Sequence, residues 1–316
     1  MTATETILEM PRQDGKDFAG ELAARASRAT IIRRDEPLAK HTTLRVGGPA
    51  DFYVEPAEEN DLAAVMKLCG ERHLPFFILG RGSNLLVRDG GFRGVAICLS
   101  QPDFSRIEVA GERLRCGAGA KLKNVAVEAR RNNLSGVEFL EGIPGSVGGA
   151  LRMNAGAMGG ATFDAVESVR VMDFDGNVCE MSPGEMTVAY RNCGALKNHI
   201  ALGAVFRCRK DSVESIAQRM SAFSQKRWAS QPAAPSAGCI FKNPETIPAG
   251  KLIEELSLKG TRVGGAMVSA EHGNFIVNDG SATARDVLKL IEIVKAKAKA
   301  ERGIDLQTEV EIIGED

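Results

Sequence analysis

The chain has 316 residues, of which 44% are hydrophobic, and 40 Lys and Arg against 41 Asp and Glu give it a net charge of −1. This length predicts two or three domains with a substantial core. The balanced charge and the aromatic content of only 5% argue against a nucleic-acid partner. No apolar run approaches the roughly 20 residues of a membrane span, so we expect no such span.

The cysteines and the N-terminal residues indicate the compartment. The seven cysteines show no CxxC spacing, and the first residues contain no apolar segment of the kind found in signal peptides. An odd cysteine count without a signal peptide predicts a cytoplasmic location in which most thiols are buried and free. The four histidines are widely scattered, so we expect no metal site.

Strands and helices alternate along the first half of the chain, which predicts a mixed α+β architecture. The predicted elements are an N-terminal arm at 1–35, a strand at 50–55, a helix capped by Asn60 that runs to about His73, a buried strand at 75–79, a hairpin at 107–117 and a helix at 121–132.

Two glycine-rich segments stand out in this half, GRGSN at 80–84 and GIPGSVGGALRMNAGAMGG at 142–160. A helix interior loses roughly 1 kcal/mol per Gly relative to Ala, so we predict that the second segment is a loop and not a helix. Glycine backbones can approach a ligand closely and form anion-binding nests. Two such loops without an acidic residue predict a cradle for a ligand that carries a pyrophosphate. The alternative is a pair of plain surface loops. The motif GxGxxG is not completed at Gly80-x-Gly82 or at Gly117-x-Gly119, since both lack the third glycine, which argues against a Rossmann site.

The second half continues the mixture of helices and strands, and the amphipathic helix predicted at 212–230 suggests a domain boundary at its start. The predicted elements are a hairpin at 167–181, a short turn at 190–192, a strand at 200–210, the helix at 212–230, an unstructured stretch at 230–244, a helix at 250–256, a strand at 274–277, a helix capped by Ser281 or Thr283 and ended by Gly303, and a strand at 304–312. In this last strand Glu309 and Glu311 lie off the core face.

Eight motifs in one order closely resemble the UDP-N-acetylenolpyruvoylglucosamine reductases, over about residues 35–314. They are HTTLRVGGPADFYVEP, LGRGSNLLVRDGGFRGV, GIPGSVGGALRMNAGAMGG, AYRN, SAGCIFKNP, AGKLIEELSLKGTRVGGAMVS, HGNFIVN and LQTEVEIIG. The short segment between Gly203 and Ser236 resembles the compact class of these enzymes. The family makes the muramic acid precursor of bacterial peptidoglycan with FAD and NADPH, in the cytoplasm.

The resemblance implies a two-part FAD-binding domain of the vanillyl-alcohol-oxidase type at 36–211, with a C-terminal α+β substrate domain at 212–316. It implies that the flavin pyrophosphate is held by Arg81, Gly82, Ser83, Asn84 and Leu85, and on the other side by Gly142, Ile143, Gly145, Ser146, Asn154 and Gly156. Some relatives of this fold attach flavin through a His in the first loop. Ser83 and its neighbours include no His, so we expect FAD to be bound non-covalently.

Three residues take the family's catalytic positions, and each has a plainer interpretation. Cys239 stands where the family usually has the serine that donates a proton; a thiol with an ordinary pKa of ~8.5 is a far stronger acid than an alcohol. Arg191 matches the arginine that stabilises the substrate carboxylate and enolate, and Glu309 the catalytic glutamate. The plainer interpretations are a small buried Cys, a solvated turn Arg and a strand-face Glu.

The family's substrate contacts correspond to Tyr190, Arg227, Asn243 and His272. Arg227 would engage the nucleotide diphosphate, whereas His272 could equally be a surface residue. We therefore predict a monomeric enzyme that takes the enolpyruvyl ether of UDP-N-acetylglucosamine and NADPH in turn at one site. The alternatives are a related FAD-dependent oxidoreductase acting on another substrate and a catalytically silent flavin-binding protein.

Overall fold

The computed structural model describes residues 18–316, so residues 1–17 of the arm predicted at 1–35 lie outside the described residues. The part that is described is not an isolated arm. Phe18 and Leu22 of its helix are buried in the largest core. The strand that follows pairs antiparallel with the next strand in register Ile31 to Glu55.

The first group of elements forms a small α/β layer. Its members are α1 (Phe18–Arg25), β1 (Ile31–Pro37), β2 (Pro49–Glu55), α2 (Glu59–Glu71), β3 (Phe76–Leu79), β4 (Leu85–Val87) and β5 (Phe92–Cys98). Four of the strands make a sheet in the order β1-β2-β5-β3, in which β2, β5 and β3 are parallel. The parallel strands all end toward the GRGSN loop or its neighbours, as expected for a ligand-binding edge.

The second group is built on a five-stranded antiparallel sheet in the order β12-β11-β15-β7-β6. Its members are α3 (Pro102–Ser105), β6 (Ile107–Ala110), β7 (Arg113–Gly117), α4 (Leu122–Arg131), β8 (Leu134–Ser135), α5 (Val147–Arg152), β9 (Gly156–Ala157), β10 (Gly160–Ala161), β11 (Val166–Asp173), β12 (Val178–Met181), β13 (Val188–Ala189), β14 (Asn192–Cys193), β15 (His199–Arg207), β16 (Arg209–Lys210) and α6 (Val213–Trp228). Both predicted hairpins of this region, at 107–117 and 167–181, are present.

The third group has its own core. Its members are β17 (Ser236–Cys239), α7 (Ala249–Glu255), β18 (Arg262–Val263), β19 (Ala266–Val268), β20 (Phe275–Asn278), α8 (Ala284–Arg302) and β21 (Glu311–Ile313). Strands β17, β20, β19 and β18 form one sheet on which α8 packs. Thr283 caps α8 and Gly303 ends it at φ +67°. Strand β21 pairs with β4 of the first group, so the end of the chain joins the third group to the first.

Helix α6 bears on the predicted boundary between residues 211 and 212. Its buried residues, Ile216 and Met220, belong to the core of the first two groups and not to that of the third. This packing favours a boundary after Trp228. The domain limits at 35/36 and 211/212 stay predictions.

The prediction that residues 142–160 contain no helix is wrong, because α5 occupies Val147–Arg152. Val147, Ala150 and Leu151 recur at helical spacing and are all buried, and this packing outweighs the low helix propensity of glycine. Gly148 serves close packing instead, since a Cβ there would lie 3.1 Å from the Cβ of Ala118.

Two smaller predictions also need correction. Helix α2 has Glu58 at its N-cap, with no side-chain capping bond, and so begins one residue before the predicted cap Asn60. The stretch at 230–244, predicted as unstructured, contains β17, whose Ser236 pairs with Val277. A single strand between prolines has no periodic signal long enough to be recognised.

Asp61 on α2 joins this helix to the turn before β1. Its carboxylate accepts hydrogen bonds of 2.7 Å from Ser27 N, Ser27 Oγ and Thr30 Oγ1, and it is 3% exposed. Burial alone would raise the pKa of Asp61, but the hydrogen bonds from Thr30 and Ser27 lower it. Its contribution to stability is therefore present above the ordinary aspartate pKa and is lost as the pH falls through the folded value.

We expect Asp61→Ala to lower the free energy of unfolding by about 3 kcal/mol, because three donors lose a buried charged acceptor. Urea unfolding at neutral pH measures this loss, and the difference from wild type should shrink at acid pH. Asp103→Asn, at an exposed carboxylate, is the control and should change stability little. Equal stability of Asp61→Ala and wild type at neutral pH would show that this network is not stabilising.

Candidate active site

A cleft of about 3020 Å³ runs between the three groups of elements. Fourteen of the residues predicted to act on a cofactor or substrate line it. They are Arg81, Gly82, Ser83, Asn84, Leu85, Gly142, Ile143, Gly145, Ser146, Gly156, Arg191, Arg227, Cys239 and Glu309. The remaining four, Asn154, Tyr190, Asn243 and His272, are not part of the lining.

The two glycine-rich segments meet at one wall of this cleft. A Cβ on Gly80 would lie 2.9 Å from Ser146 Oγ, and the Cβ position of Gly145 lies 3.8 Å from Ser83 Oγ. Gly82 has φ +59°, and a Cβ there would lie 2.4 Å from the carbonyl oxygen of His41, so only glycine fits. Gly142 has no atom within 4 Å of its Cβ position and opens on free space.

Thr43 fastens the first of these loops to the strand that carries Cys239. Its backbone N–H donates to the carbonyl of Gly82 at 3.1 Å. Its hydroxyl donates to the carbonyl of Ser236, in β17, at 2.6 Å. The loop and the candidate proton donor are therefore held in a fixed relation to one another.

Arg191 and Glu309 form an ion pair in the cleft although 118 positions separate them. Arg191 Nε donates to Glu309 Oε1 at 2.6 Å, and the two side chains are only 22% and 12% exposed. Arg191 occupies the tight turn between β13 and β14 at φ +54°, an uncommon conformation for a residue with a side chain. The backbone is thus held where the guanidinium reaches the carboxylate.

Cys239 ends β17, directly after Gly238 at φ +73°, and its thiol faces the same part of the cleft. Burial raises the pKa of this thiol to about 12, the negative charge of Glu309 adds to the rise, and Arg191 opposes it. The group is therefore protonated throughout the neutral range. A half-buried, protonated thiol that shares the cleft with an Arg–Glu pair can act as a proton donor.

Glu309 lies in an extended segment that runs beside residues 240–242, before the short strand β21. Its backbone N–H donates to Ile240 O at 2.8 Å, and Asn84 Nδ2 donates to its carbonyl at 3.1 Å. Burial raises the pKa of the Glu309 carboxyl, and Arg191 followed by Lys242 oppose this. The amide of Asn84 thus connects the glycine-rich loop to Glu309, the candidate catalytic glutamate.

Glu311 also lines the cleft, but in a different environment. Its side chain is 50% exposed, and its nearest cation is Arg152 at 3.9 Å. The strand predicted over 304–312 is regular only at Glu311–Ile313. The predicted alternation still puts both glutamates on the cleft side.

Arg227, near the end of α6, contacts the first residue of the second glycine-rich segment. Its Nη1 donates to the carbonyl of Gly142 at 2.8 Å, and its guanidinium lies 5.5 Å from the centroid of the Trp228 ring. Its Nε is buried and finds no hydrogen-bond partner within residues 18–316. Burial lowers the pKa of Arg227. A buried donor without an acceptor at a cleft wall suits an anionic ligand.

The four predicted residues outside the lining have other contacts. Tyr190 is 58% exposed, with the Arg191 guanidinium 4.9 Å from its ring centroid. Asn154 donates to Ala189 O and accepts from Phe163 N, which stabilises the turn after α5. The side chain of Asn243 accepts from Ala249 N at the start of α7. Nδ1 of His272 accepts from Asn274 N. Their assignment as ligand contacts stays a prediction.

Sequence reasoning missed two residues with clear roles in the site. Asn274 contacts the segment that follows Cys239, and Thr43 links the cradle to β17. Both lie inside the motifs HGNFIVN and HTTLRVGG, but a side-chain hydrogen bond to backbone far away in the sequence produces no periodic pattern that could predict it.

Within residues 18–316, no helix is long and apolar enough to cross a membrane, and no group of His, Cys, Asp and Glu could hold a metal ion.

Comparison with protein families identifies the class that this fold and cleft define. A model described as "FAD binding domain" matches residues 50–182. A second, described as "UDP-N-acetylenolpyruvoylglucosamine reductase, C-terminal domain", matches residues 231–313. The protein is thus an FAD-dependent oxidoreductase with a cofactor domain of the vanillyl-alcohol-oxidase type. This confirms the predicted α+β fold class and cofactor.

Whole-chain relatives narrow this class to one family. Reductases of this name from Clostridium botulinum (strain Hall) and Geobacter metallireducens are each 45% identical, over 89% and 90% of this chain and 92% and 95% of their own lengths. The crystal structure of the Thermus caldophilus reductase is 39% identical, with a TM-score of 0.78 over 90% of this chain and 98% of that one. The chain belongs to the UDP-N-acetylenolpyruvoylglucosamine reductase family, which confirms the predicted resemblance.

Proposed function

We propose that this protein reduces the enolpyruvyl ether of UDP-N-acetylglucosamine to UDP-N-acetylmuramate, with NADPH as reductant and Cys239 as proton donor. The observation that carries the proposal is the meeting of three groups in one cleft: a protonated thiol, a carboxylate and a guanidinium held by that carboxylate. This product is a precursor of peptidoglycan, so we further propose that the protein acts in the cytoplasm. We also propose that it acts as a monomer.

The residues of the cleft fit FAD. Backbone that only glycine allows at Gly82 and free space at Gly142 suit a large anionic ligand at this wall. The residues that would hold the cofactor are Arg81, Gly82, Ser83, Asn84, Leu85, Gly142, Ile143, Gly145, Ser146 and Gly156, with Asn154 supporting the turn that follows them. When bound, FAD supplies the two-electron carrier between NADPH and the sugar.

Arg191 is the group that binds the reacting end of the substrate. Its guanidinium can hold a planar carboxylate with paired hydrogen bonds and remains positively charged. As hydride adds to the vinyl carbon, negative charge builds on the neighbouring carbon and its carboxylate, and a fixed cation stabilises that enolate. Glu309 fixes the direction of the guanidinium through the 2.6 Å contact at Nε, leaving its Nη atoms for the substrate.

Cys239 completes the reaction by donating a proton to the enolate carbon. One C–H bond forms as the S–H bond breaks, and the electron pair of the enolate becomes the new C–H bond. The thiolate that remains recovers a proton from solvent. The net change at the double bond is therefore one hydride and one proton, which gives the lactyl ether.

The remaining contacts concern the nucleotide end of the substrate. Arg227 would bind the diphosphate through its free Nε. Tyr190, Asn243 and His272 remain proposed substrate contacts from outside the cleft lining. The family resemblance adds NADPH as first substrate, and the incomplete GxGxxG motifs predict no separate Rossmann site for it. We therefore propose that NADPH and the UDP-sugar occupy the cleft in turn.

A steady-state assay of the FAD-loaded protein tests this function. We expect NADPH to be consumed only when the enolpyruvyl UDP-sugar is present, with one lactyl ether formed per NADPH. NADPH oxidation with oxygen alone, at a rate unaffected by the sugar, would indicate a related oxidoreductase with another substrate. No NADPH consumption by protein that retains its yellow flavin would indicate a catalytically silent flavin-binding protein.

A further inference from the structure

Asn274 is a buried amide in the wall behind Cys239. It lies immediately before β20, the strand that pairs with the end of β17, and it is only 2% exposed. A buried amide is retained in a core only when its donors and acceptors are matched. The hydrogen-bond partners of Asn274 therefore indicate its role.

All three hydrogen bonds from Asn274 to neighbouring backbone go to the two residues that follow Cys239. Its Oδ1 accepts from Phe241 N at 2.9 Å, and its Nδ2 donates to Phe241 O at 2.8 Å. Its own carbonyl accepts from Ile240 N at 2.9 Å. The side chain thus binds both polar groups of one residue and fixes the backbone two positions beyond the thiol.

The same amide also bears on the acidity of the thiol. Nδ2 has two N–H bonds, of which Phe241 uses one, and hydrogen bonding by the Asn274 side chain lowers the pKa of Cys239, against the larger rise that burial causes. The charged groups that face the thiol are Glu309, which disfavours the thiolate, and Arg191, which favours it. Lys242 acts on Glu309.

We propose that Asn274 is a positioning residue for proton transfer, which holds the Cys239 thiol toward the cleft and donates a hydrogen bond to the thiolate that the transfer leaves. The inference rests on the proposed function. A thiolate forms beside the Glu309 carboxylate, so a neutral donor at this point lowers the barrier without disturbing the Arg191–Glu309 pair. Phe241 anchors the amide, and the amide in turn fixes the backbone that directly follows the thiol.

The alternative is that Asn274 only stabilises the fold, and the chain offers a matched control for this. Asn278 is the last residue of β20 and is 4% exposed, and its side chain makes three hydrogen bonds, to Leu44 O, Gly280 N and Ala282 N, against two for the side chain of Asn274. None of these side-chain bonds reaches the Cys239 segment. A purely structural role therefore predicts similar behaviour for substitutions at the two positions.

The test compares Asn274→Ala with Asn278→Ala in the FAD-loaded protein. Iodoacetamide alkylation of Cys239, followed by mass spectrometry of its peptide across a pH series, reports the thiolate population without any substrate. We expect Asn274→Ala to slow alkylation about fivefold at alkaline pH, the size expected from one lost hydrogen bond, and Asn278→Ala to leave it unchanged. Unchanged or faster alkylation in Asn274→Ala, or equal effects at both positions, would overturn the proposal.

Kinetics supply a second readout. In Asn274→Ala we expect kcat for the sugar to fall at least about tenfold with little change in KM, and flavin reduction by NADPH to stay at the wild-type rate. Should the alanine variant not fold, Asn274→Asp replaces it, because it retains an acceptor for Phe241 N and removes both donors. An inactive wild type would refute the proposed function, whereas an active wild type with no alkylation shift would refute only the role of Asn274.

Discussion

Cys239→Ala should leave the reduction of bound flavin by NADPH at its wild-type rate and slow the reduction of the sugar by about 10²- to 10⁴-fold, the range expected for loss of a general acid. The thiol lines the same cleft as the Arg191–Glu309 pair, and partial burial holds it protonated. Its removal leaves the enolate without a positioned proton. Rapid mixing of each half-reaction separately measures the two rates.

Two further variants make this result specific. Cys239→Ser should retain activity, because the alcohol is the family's usual donor. Cys98→Ala is the matched control, since Cys98 also lines the cleft but its thiol contacts Tyr53 and Ser100. Wild-type rates of sugar reduction in Cys239→Ala would remove this thiol from the mechanism. An inactive but folded Cys239→Ser would mean that the site requires sulfur.

Glu309→Gln should lower kcat for the sugar by about 10²-fold, whereas Glu311→Gln should change it little. Gln keeps the shape of the side chain but loses the charge that draws the Arg191 guanidinium to 2.6 Å. A misplacement near 1 Å of a group that acts on the reacting atoms costs about 10²-fold. Glu311 is half exposed, and within residues 18–316 its ion-pair partner is Arg152, at 3.9 Å.

Steady-state kinetics of both variants under saturating sugar measure this difference. Removal of one partner of a buried ion pair destabilises the folded protein, because the other charge is left unpaired. Thermal unfolding of Glu309→Gln should therefore also begin at a lower temperature than that of Glu311→Gln. Comparable kcat values in the two variants would contradict a special role for Glu309. A larger loss in Glu311→Gln would mean that the other carboxylate holds the arginine.

Local signals in the sequence predicted much of the fold. The hairpin around Asp175 and Gly176, the Thr283 cap and the Gly303 stop of α8 depend on a few adjacent residues, and all three are present. Helix α5 was missed because its stability comes from burial of Val147, Ala150 and Leu151 in a core assembled from distant parts of the chain. Propensity alone cannot report such packing.

The site was predictable only as a set of residues and not as an arrangement. Family motifs supplied Arg191, Cys239 and Glu309 as candidates. The ion pair between Arg191 and Glu309, however, joins positions that lie far apart in the sequence, and no local pattern predicts it. The role of Asn274 depends on a hydrogen bond across 33 positions, which no local pattern encodes. Asn243 illustrates the converse, since its motif suggests a substrate contact while its side chain accepts from the first turn of α7.

A crystal structure of the FAD-loaded protein with the lactyl product is the most direct test of the central claim that the Cys239 thiol protonates the substrate. We expect Cys239 Sγ to lie about 3 to 3.5 Å from the lactyl carbon that bears the carboxylate, with Arg191 on that carboxylate and Glu309 behind it. A product carbon beyond the reach of Sγ, with the thiol turned into the core beside Ile240, would contradict the account.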